Sequence, residues 1–124
     1  MRGLLLNVVE DRVEIVETNG LDDYYRLMGC SVIDITQRKI AGKYYDIICD
    51  DEGLLKENPK ISAITHMGQP MLVGNLIIAG EADADGNLTD LLDTDIAHIY
   101  KNIHFFRTTN HPEGYNIRVS EISG

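Results

Sequence analysis

Cysteine is scarce in this sequence, basic residues are outnumbered, and no long apolar run occurs; each shortage excludes something. Two cysteines in 124 residues set no disulfide framework. Cys30 and Cys49 both sit inside apolar segments, where a free thiol behaves as a small hydrophobe. No stretch approaches the roughly 18–20 apolar residues that span a bilayer. The opening MRGLLLNVVEDRVEIV has neither the apolar region nor the cleavage site of a signal peptide, so cytoplasmic residence is expected. Only 11 Lys plus Arg stand against 20 Asp plus Glu, a net charge of −9. Such a surface repels nucleic-acid phosphates and anionic membranes alike, which argues against general nucleic-acid or membrane binding. HExxH, CxxC and GxSxG motifs are missing too, so no catalytic residue, metal ligand or cofactor is indicated. No internal repeat occurs.

What is present specifies an architecture. A chain of 124 residues, 44% hydrophobic, suits a single domain over 1–124 with its own core. Gly3–Val9 and Arg12–Val16, parted by Glu10-Asp11, predict an N-terminal hairpin. LDDYYRLMG predicts a short helix: Leu21, Tyr24, Tyr25 and Met28 share one face, with Asp22 and Asp23 in the first turn and Gly29 as the stop. SVIDIT (31–36) and KYYDIICD (43–50) have strand composition, and the link QRKIAG joins them as a second hairpin. Residues 51–72 carry Gly53, Asn58-Pro59, Gly68 and Pro70, which predicts irregular chain and a candidate functional region. LVGNLIIAG (72–80) is a strand apolar on both faces and so central. The stripe Leu92, Ile96, Ile99, Tyr100 and Ile103 marks a second helix, capped by Asp93 or Thr94. FFRT and YNIRVS flank TNHPEG, whose Pro112 and Gly114 fit a turn. The sum is an α+β fold, mainly antiparallel sheet with hairpins and two helices.

The acidic triplet Asp50-Asp51-Glu52 is the most conspicuous cluster. Three consecutive carboxylates on extended chain cannot all converge; the reading is a strand that turns into water, with Gly53 at positive φ. DADGNLTD resembles a calcium loop at Asp83, Asp85 and Asn87, but its glycine comes one position early and residue 94 is Thr, so a solvated turn is expected there as well. His98 lies off the apolar stripe of its helix and is expected to be exposed. His104 stands near that helix's end, where a cation suits the dipole. His66, Gln69 and His111 belong to the polar loops THMGQP and TTNHPEG, which makes them candidates for ligand contact. Arg38, Lys39 and Lys43 crowd one hairpin and hold more than a quarter of the basic side chains. They guard a sheet edge, or they form a positive niche for a small phosphate-bearing ligand, with Tyr24 or Tyr25 stacking a base.

Two stretches carry a family likeness. MGCSVIDITQRKIAGKYYDIICDDEGLL, followed by LVGNLIIAGEADADGNLTDL and a short helix, resembles the domain-of-unknown-function 3846 family over about residues 2–105. The tail from Arg107 departs from its pattern. The family brings no chemistry with it and hence no catalytic residues. The resemblance implies a setting, the accessory genes of phages and other mobile elements. It points to an oligomeric anti-defence protein that sequesters a nucleotide-type signal without chemistry. A second reading is an acidic inhibitor of a host defence protein that mimics nucleic acid, and a third is metal-dependent cleavage of a nucleotide by the triplet.

Overall fold

A computed structural model describes residues 1–53, 60–108 and 111–124, and of residues 106–108 and 111–116 it describes the backbone alone. Asn58-Pro59, Thr109 and Asn110, part of the irregular chain expected from the sequence, lie outside the described residues. Ten strands and two helices are described: β1 (Arg2–Asn7), β2 (Arg12–Glu17), α1 (Leu21–Met28), β3 (Ile33–Ile40), β4 (Lys43–Asp50), β5 (Ile61–Ile64), β6 (Pro70–Val73), β7 (Leu76–Ala79), α2 (Asp93–Tyr100), β8 (Ile103–Thr108), β9 (His111–Val119) and β10 (Ile122–Ser123). A six-stranded sheet runs β10-β3-β4-β7-β1-β2 and a four-stranded sheet runs β6-β5-β9-β8. Pairing is antiparallel apart from β5 against β9. This is the α+β fold of hairpins and two helices that the residues imply.

Strand alternation divides the large sheet into two working faces. Leu4, Leu6, Tyr45, Ile47, Cys49, Leu76 and Ile78 point one way and pack with Ala63, Ile117 and Val119 of the second sheet and Ile96 and Ile99 of α2. Leu5, Ile48 and Ile77 point the other way, under Tyr24 and Met28 of α1. Strand β7 lies between β4 and β1 and is buried throughout, which is why LIIA needs no polar alternation. Helix α1 stops where Gly29 takes φ 66° and its N–H reaches the Tyr25 carbonyl, a conformation that costs a side-chain-bearing residue more than glycine.

Several boundaries differ from the sequence reading, each for a local reason. Gln37 to Ile40 belong to β3, so the link between β3 and β4 shrinks to Ala41-Gly42, with φ of 46° and 86°. Those left-handed values suit the right-handed twist of a two-residue hairpin. Residues 51–72 are not all irregular, since they contain β5 and the start of β6. Thr65 Oγ1 accepts the N–H groups of Met67 and Gln69 and closes the turn between them. Pro70 opens β6, an edge strand, where a missing N–H is tolerated. The predicted strand 72–80 is two strands, because Gly74 takes φ 78° and carries the chain from the small sheet to the large one. Helix α2 is capped from Leu92, whose N–H is held at 3.0 Å by Asp95. Pro112 and Gly114 fall within β9 rather than in a turn.

Candidate ligand-binding cleft

A hollow of about 600 Å³ lies on the α1 side of the large sheet, where β1 turns into β2. Its floor is apolar, from Leu5, Val8, Leu27 and Met28. Gly29, Gly53 and Gly74 bring bare backbone to its wall. At Gly53 the requirement is packing and not positive φ, because a Cβ there would stand 2.8 Å from Val73 Cγ2. Three cations line it, each from a different segment: Arg12 at the start of β2, Arg26 in the last turn of α1, and Lys60 just before β5.

Each cation has a local partner that fixes its place. Arg12 meets Glu10 at 2.9 Å and Glu14 at 3.9 Å. Arg26 meets Asp23 at 3.3 Å. The Asn19 N–H, first, and the Arg26 guanidinium then hold the Asp23 carboxyl below its ordinary value. Lys60 Nζ donates to the Val8 carbonyl at 3.2 Å. Two carboxamides complete the wall. Asn75 Oδ1 accepts the Val8 N–H at 2.9 Å while its Nδ2 donates to the Met28 carbonyl, tying β1 to the end of α1. Asn7 Oδ1 accepts the N–H groups of Val9 and Glu10 and shapes the β1–β2 turn.

The acidic triplet is a corner. Asp50 Oδ1 accepts the Glu52 N–H, and the Asp51 N–H reaches the Val32 carbonyl. Asp50 alone of the three lines the cleft. No three His, Cys, Asp or Glu side chains among the described residues are grouped to hold a metal ion. The DADGN segment is also a turn, with Asp83 Oδ1 accepting the Asp85 and Asn87 N–H groups.

The residues singled out from sequence go elsewhere. Arg38 and Lys39 are consecutive on β3, so they leave opposite faces of the sheet, and they do not converge into one niche with Lys43. Arg38 donates to the Gln37 carbonyl, whereas Lys39 Nζ lies 4.8 Å from the centre of the Tyr44 ring. Lys43 pairs with the buried Asp95, which also accepts the Tyr45 hydroxyl and the Leu92 N–H. That trio borders a second, more open hollow of about 560 Å³ whose remaining charges, Glu81 and Asp90, are acidic. Burial pushes the Asp95 carboxyl up, but Lys43, the Leu92 N–H and Tyr45 together hold it below its ordinary value. Burial and then Asp95 push the Tyr45 phenol up. Tyr24 is buried beneath α1, Tyr25 is half-buried, and His66 and Gln69 are exposed in the β5–β6 turn. His111 is on β9, outside the described side chains. Arg38, Lys39, Lys43, Tyr24, Tyr25, His66 and Gln69 do not line the cleft. His98 is not an exposed bystander, because its Nε2 makes a 2.8 Å hydrogen bond with the Ile40 carbonyl and anchors α2 on the hairpin. His104 lies on β8, with Nε2 2.8 Å from Ser120 Oγ.

Neither cysteine is in a disulfide. Burial and then the Asp34 charge push the Cys49 thiol up to about 11, so it stays protonated at neutral pH and is a poor nucleophile. No helix among the described residues is long and apolar enough to cross a membrane.

The sequence reading missed Arg12, Arg26, Lys60 and Asn7 because each stands alone in its segment. The available signals were Asn7 interrupting an apolar run and the Gly74-Asn75 corner in a strand otherwise apolar. No curated protein and no solved structure matches the chain. The family comparison does give a match, over residues 1–104, a span that contains the whole cleft. The chain belongs to the family described as domain of unknown function (DUF3846).

Proposed function

We propose that this protein binds a small phosphate-bearing ligand of the nucleotide class in the cleft beside α1, and holds it without chemistry. The observation that carries the reading is the cleft's lining: Arg12, Arg26 and Lys60 come together from three segments and outnumber the Glu10 and Asp50 carboxylates beside them, in a chain whose net charge is −9. Arg presents forked donors that suit phosphate, and Lys adds a point charge. The apolar floor offers a flat base a place to be desolvated, and a volume near 600 Å³ falls in the usual range for small-ligand sites. Acidity elsewhere turns long nucleic acids away while the cleft admits a single nucleotide. In the mobile-element setting that the family resemblance implies, the ligand is a host signalling nucleotide. Capture in the cytoplasm, by an oligomer, lowers its free concentration and blunts a defence response.

Native mass spectrometry of the purified protein with a panel of linear and cyclic nucleotides tests this directly. The expected result is a bound mass equal to one intact nucleotide, recovered unaltered after denaturation. A shortened nucleotide would replace sequestration with hydrolysis, and no bound mass across the panel would remove the reading.

A further inference from the structure

The rim cations of the cleft read charge and little else, since two of them already rest on carboxylates and the third on a carbonyl. Selectivity needs a polar group whose direction is fixed and whose hydrogen bonds are not already used. Asn7 has both properties. It is 7% exposed, and its Oδ1 is committed to two backbone N–H groups at 3.1 and 2.9 Å. Those bonds decide which end of the carboxamide is oxygen. Asn7 is one of the residues that line the cleft, and its Nδ2 end carries two N–H donors with no hydrogen-bond partner among the described residues. Asn75 is the contrast, because both of its ends are used. Asn7 Nδ2 is not among the fully buried unpartnered side-chain atoms, so water reaches it, and a ligand acceptor would take that water's place.

Position says what kind of acceptor. Asn7 and Leu5 lie two residues apart on β1 and so share a face, which puts the amide at the margin of the apolar floor formed with Met28. Across the hairpin Asn7 is paired with Arg12, whose side chain shares that face and marks the charged side of the cleft. Resting on the ligand-binding reading above, we infer that Asn7 determines specificity. Its Nδ2 donates to a carbonyl or ring-nitrogen acceptor of a nucleotide base lying on that floor, while the phosphate sits at the arginines.

The test uses titration calorimetry with adenosine, guanosine and uridine monophosphates and with ribose phosphate, which carries the charge but no base. Wild type is expected to bind one or more of the nucleotides about tenfold tighter than ribose phosphate, the scale of one well-made hydrogen bond. Asn7→Asp keeps the oxygen that the Val9 and Glu10 amides need and removes the donors; Asn7→Ser stays neutral, and its shorter hydroxyl can accept the same amides but withdraws the donor from the base. Both are expected to lose the preference for a base, and Asn7→Ser to keep its affinity for ribose phosphate. On the unaltered protein, the Asn7 side-chain amide resonances are expected to move with the preferred nucleotide and to stay with ribose phosphate, a readout independent of how the variants fold. A base preference that survives in both variants, or amide resonances that do not move, would overturn the role of Asn7 and leave the cleft standing. Failure of wild type to bind any of the four probes would overturn both.

Discussion

At the scale of single residues, the most constrained polar group is Asp95, and it illustrates how a buried carboxylate stays charged. Three donors from two segments meet it: Lys43 and the Tyr45 hydroxyl of β4, and the N–H of Leu92 at the start of α2. Its side chain is 7% exposed while that of Lys43 is 53% exposed, so the lysine can be hydrated alone but the phenol of Tyr45, 1% exposed, cannot. Asp95→Asn keeps the shape and turns one acceptor into a donor. The variant is expected to lose about 1–3 kcal/mol at neutral pH, the cost of stranding a buried hydrogen-bonding group. The pH dependence follows from the sign of the shift. Because the folded carboxyl sits below its ordinary value of 3.8, its stabilisation is fully present above that value and is lost as pH falls through the folded pKa. Urea melts of the two proteins are therefore expected to differ most at neutral pH and to converge below 3.8. A gap that is constant down to strong acid would mean that the ionised form contributes nothing.

At the scale of elements, the hairpins and helices were legible where a pattern and its punctuation agreed. Helix α1 could be read nearly to the residue, since the apolar spacing from Leu21 to Met28 ends at a glycine that does take φ 66°. The β3–β4 hairpin was legible as a pair but not in its length. QRK reads as a polar link, yet these residues occupy a strand near the sheet's margin, flanked by the two-residue β10, with Gln37 exposed and Arg38 and Lys39 half-buried. Strands β5 and β6 were hidden because each is four residues long, the turn between them holds Gly68 and Gln69, and β6 itself opens on Pro70. The long apolar run 72–80 misled in the other direction, since periodicity cannot show that Gly74 hands the chain to a different sheet. The short β3–β4 turn yields a test. Ala41 at φ 46° occupies the left-handed region, which disfavours a Cβ by about 1–2 kcal/mol. Replacing it with Asn, favoured at this place in a two-residue hairpin turn, is expected to stabilise the fold by about 0.5–1 kcal/mol. Thermal unfolding followed by circular dichroism measures this; a lower melting point for Ala41→Asn would show that the turn depends on something other than backbone preference.

At the scale of the whole molecule, the organising fact is a contrast of charge that the linear sequence locates in the wrong place. Reading along the chain favours clusters, and Arg38, Lys39 and Lys43 form the obvious one. Folding spreads that cluster over two faces of a sheet and spends Lys43 on Asp95. It assembles instead three cations that stand far apart in the chain. The acidic background was legible from composition; the cleft was not, because proximity of Arg12, Arg26 and Lys60 exists only after β2, α1 and the segment before β5 have packed. Electrostatics makes the distinction measurable. If the cleft cations attract the ligand's phosphate, nucleotide affinity is expected to fall as sodium chloride is raised, because exposed charges are screened over about 10 Å at 0.1 M salt. Arg12→Ala with Arg26→Ala is expected to weaken binding by about tenfold or more and to flatten that salt dependence. The melting point is expected to move little, since the Arg26 side chain is 67% exposed and exposed ion pairs contribute only about 0–1 kcal/mol. Lys39→Ala, on the far side of β3 from Arg38 and against the Tyr44 ring, is expected to change neither affinity nor its salt slope. The opposite ranking, with Lys39→Ala more harmful than the arginine pair, would return the ligand to the hairpin and leave the cleft without its role.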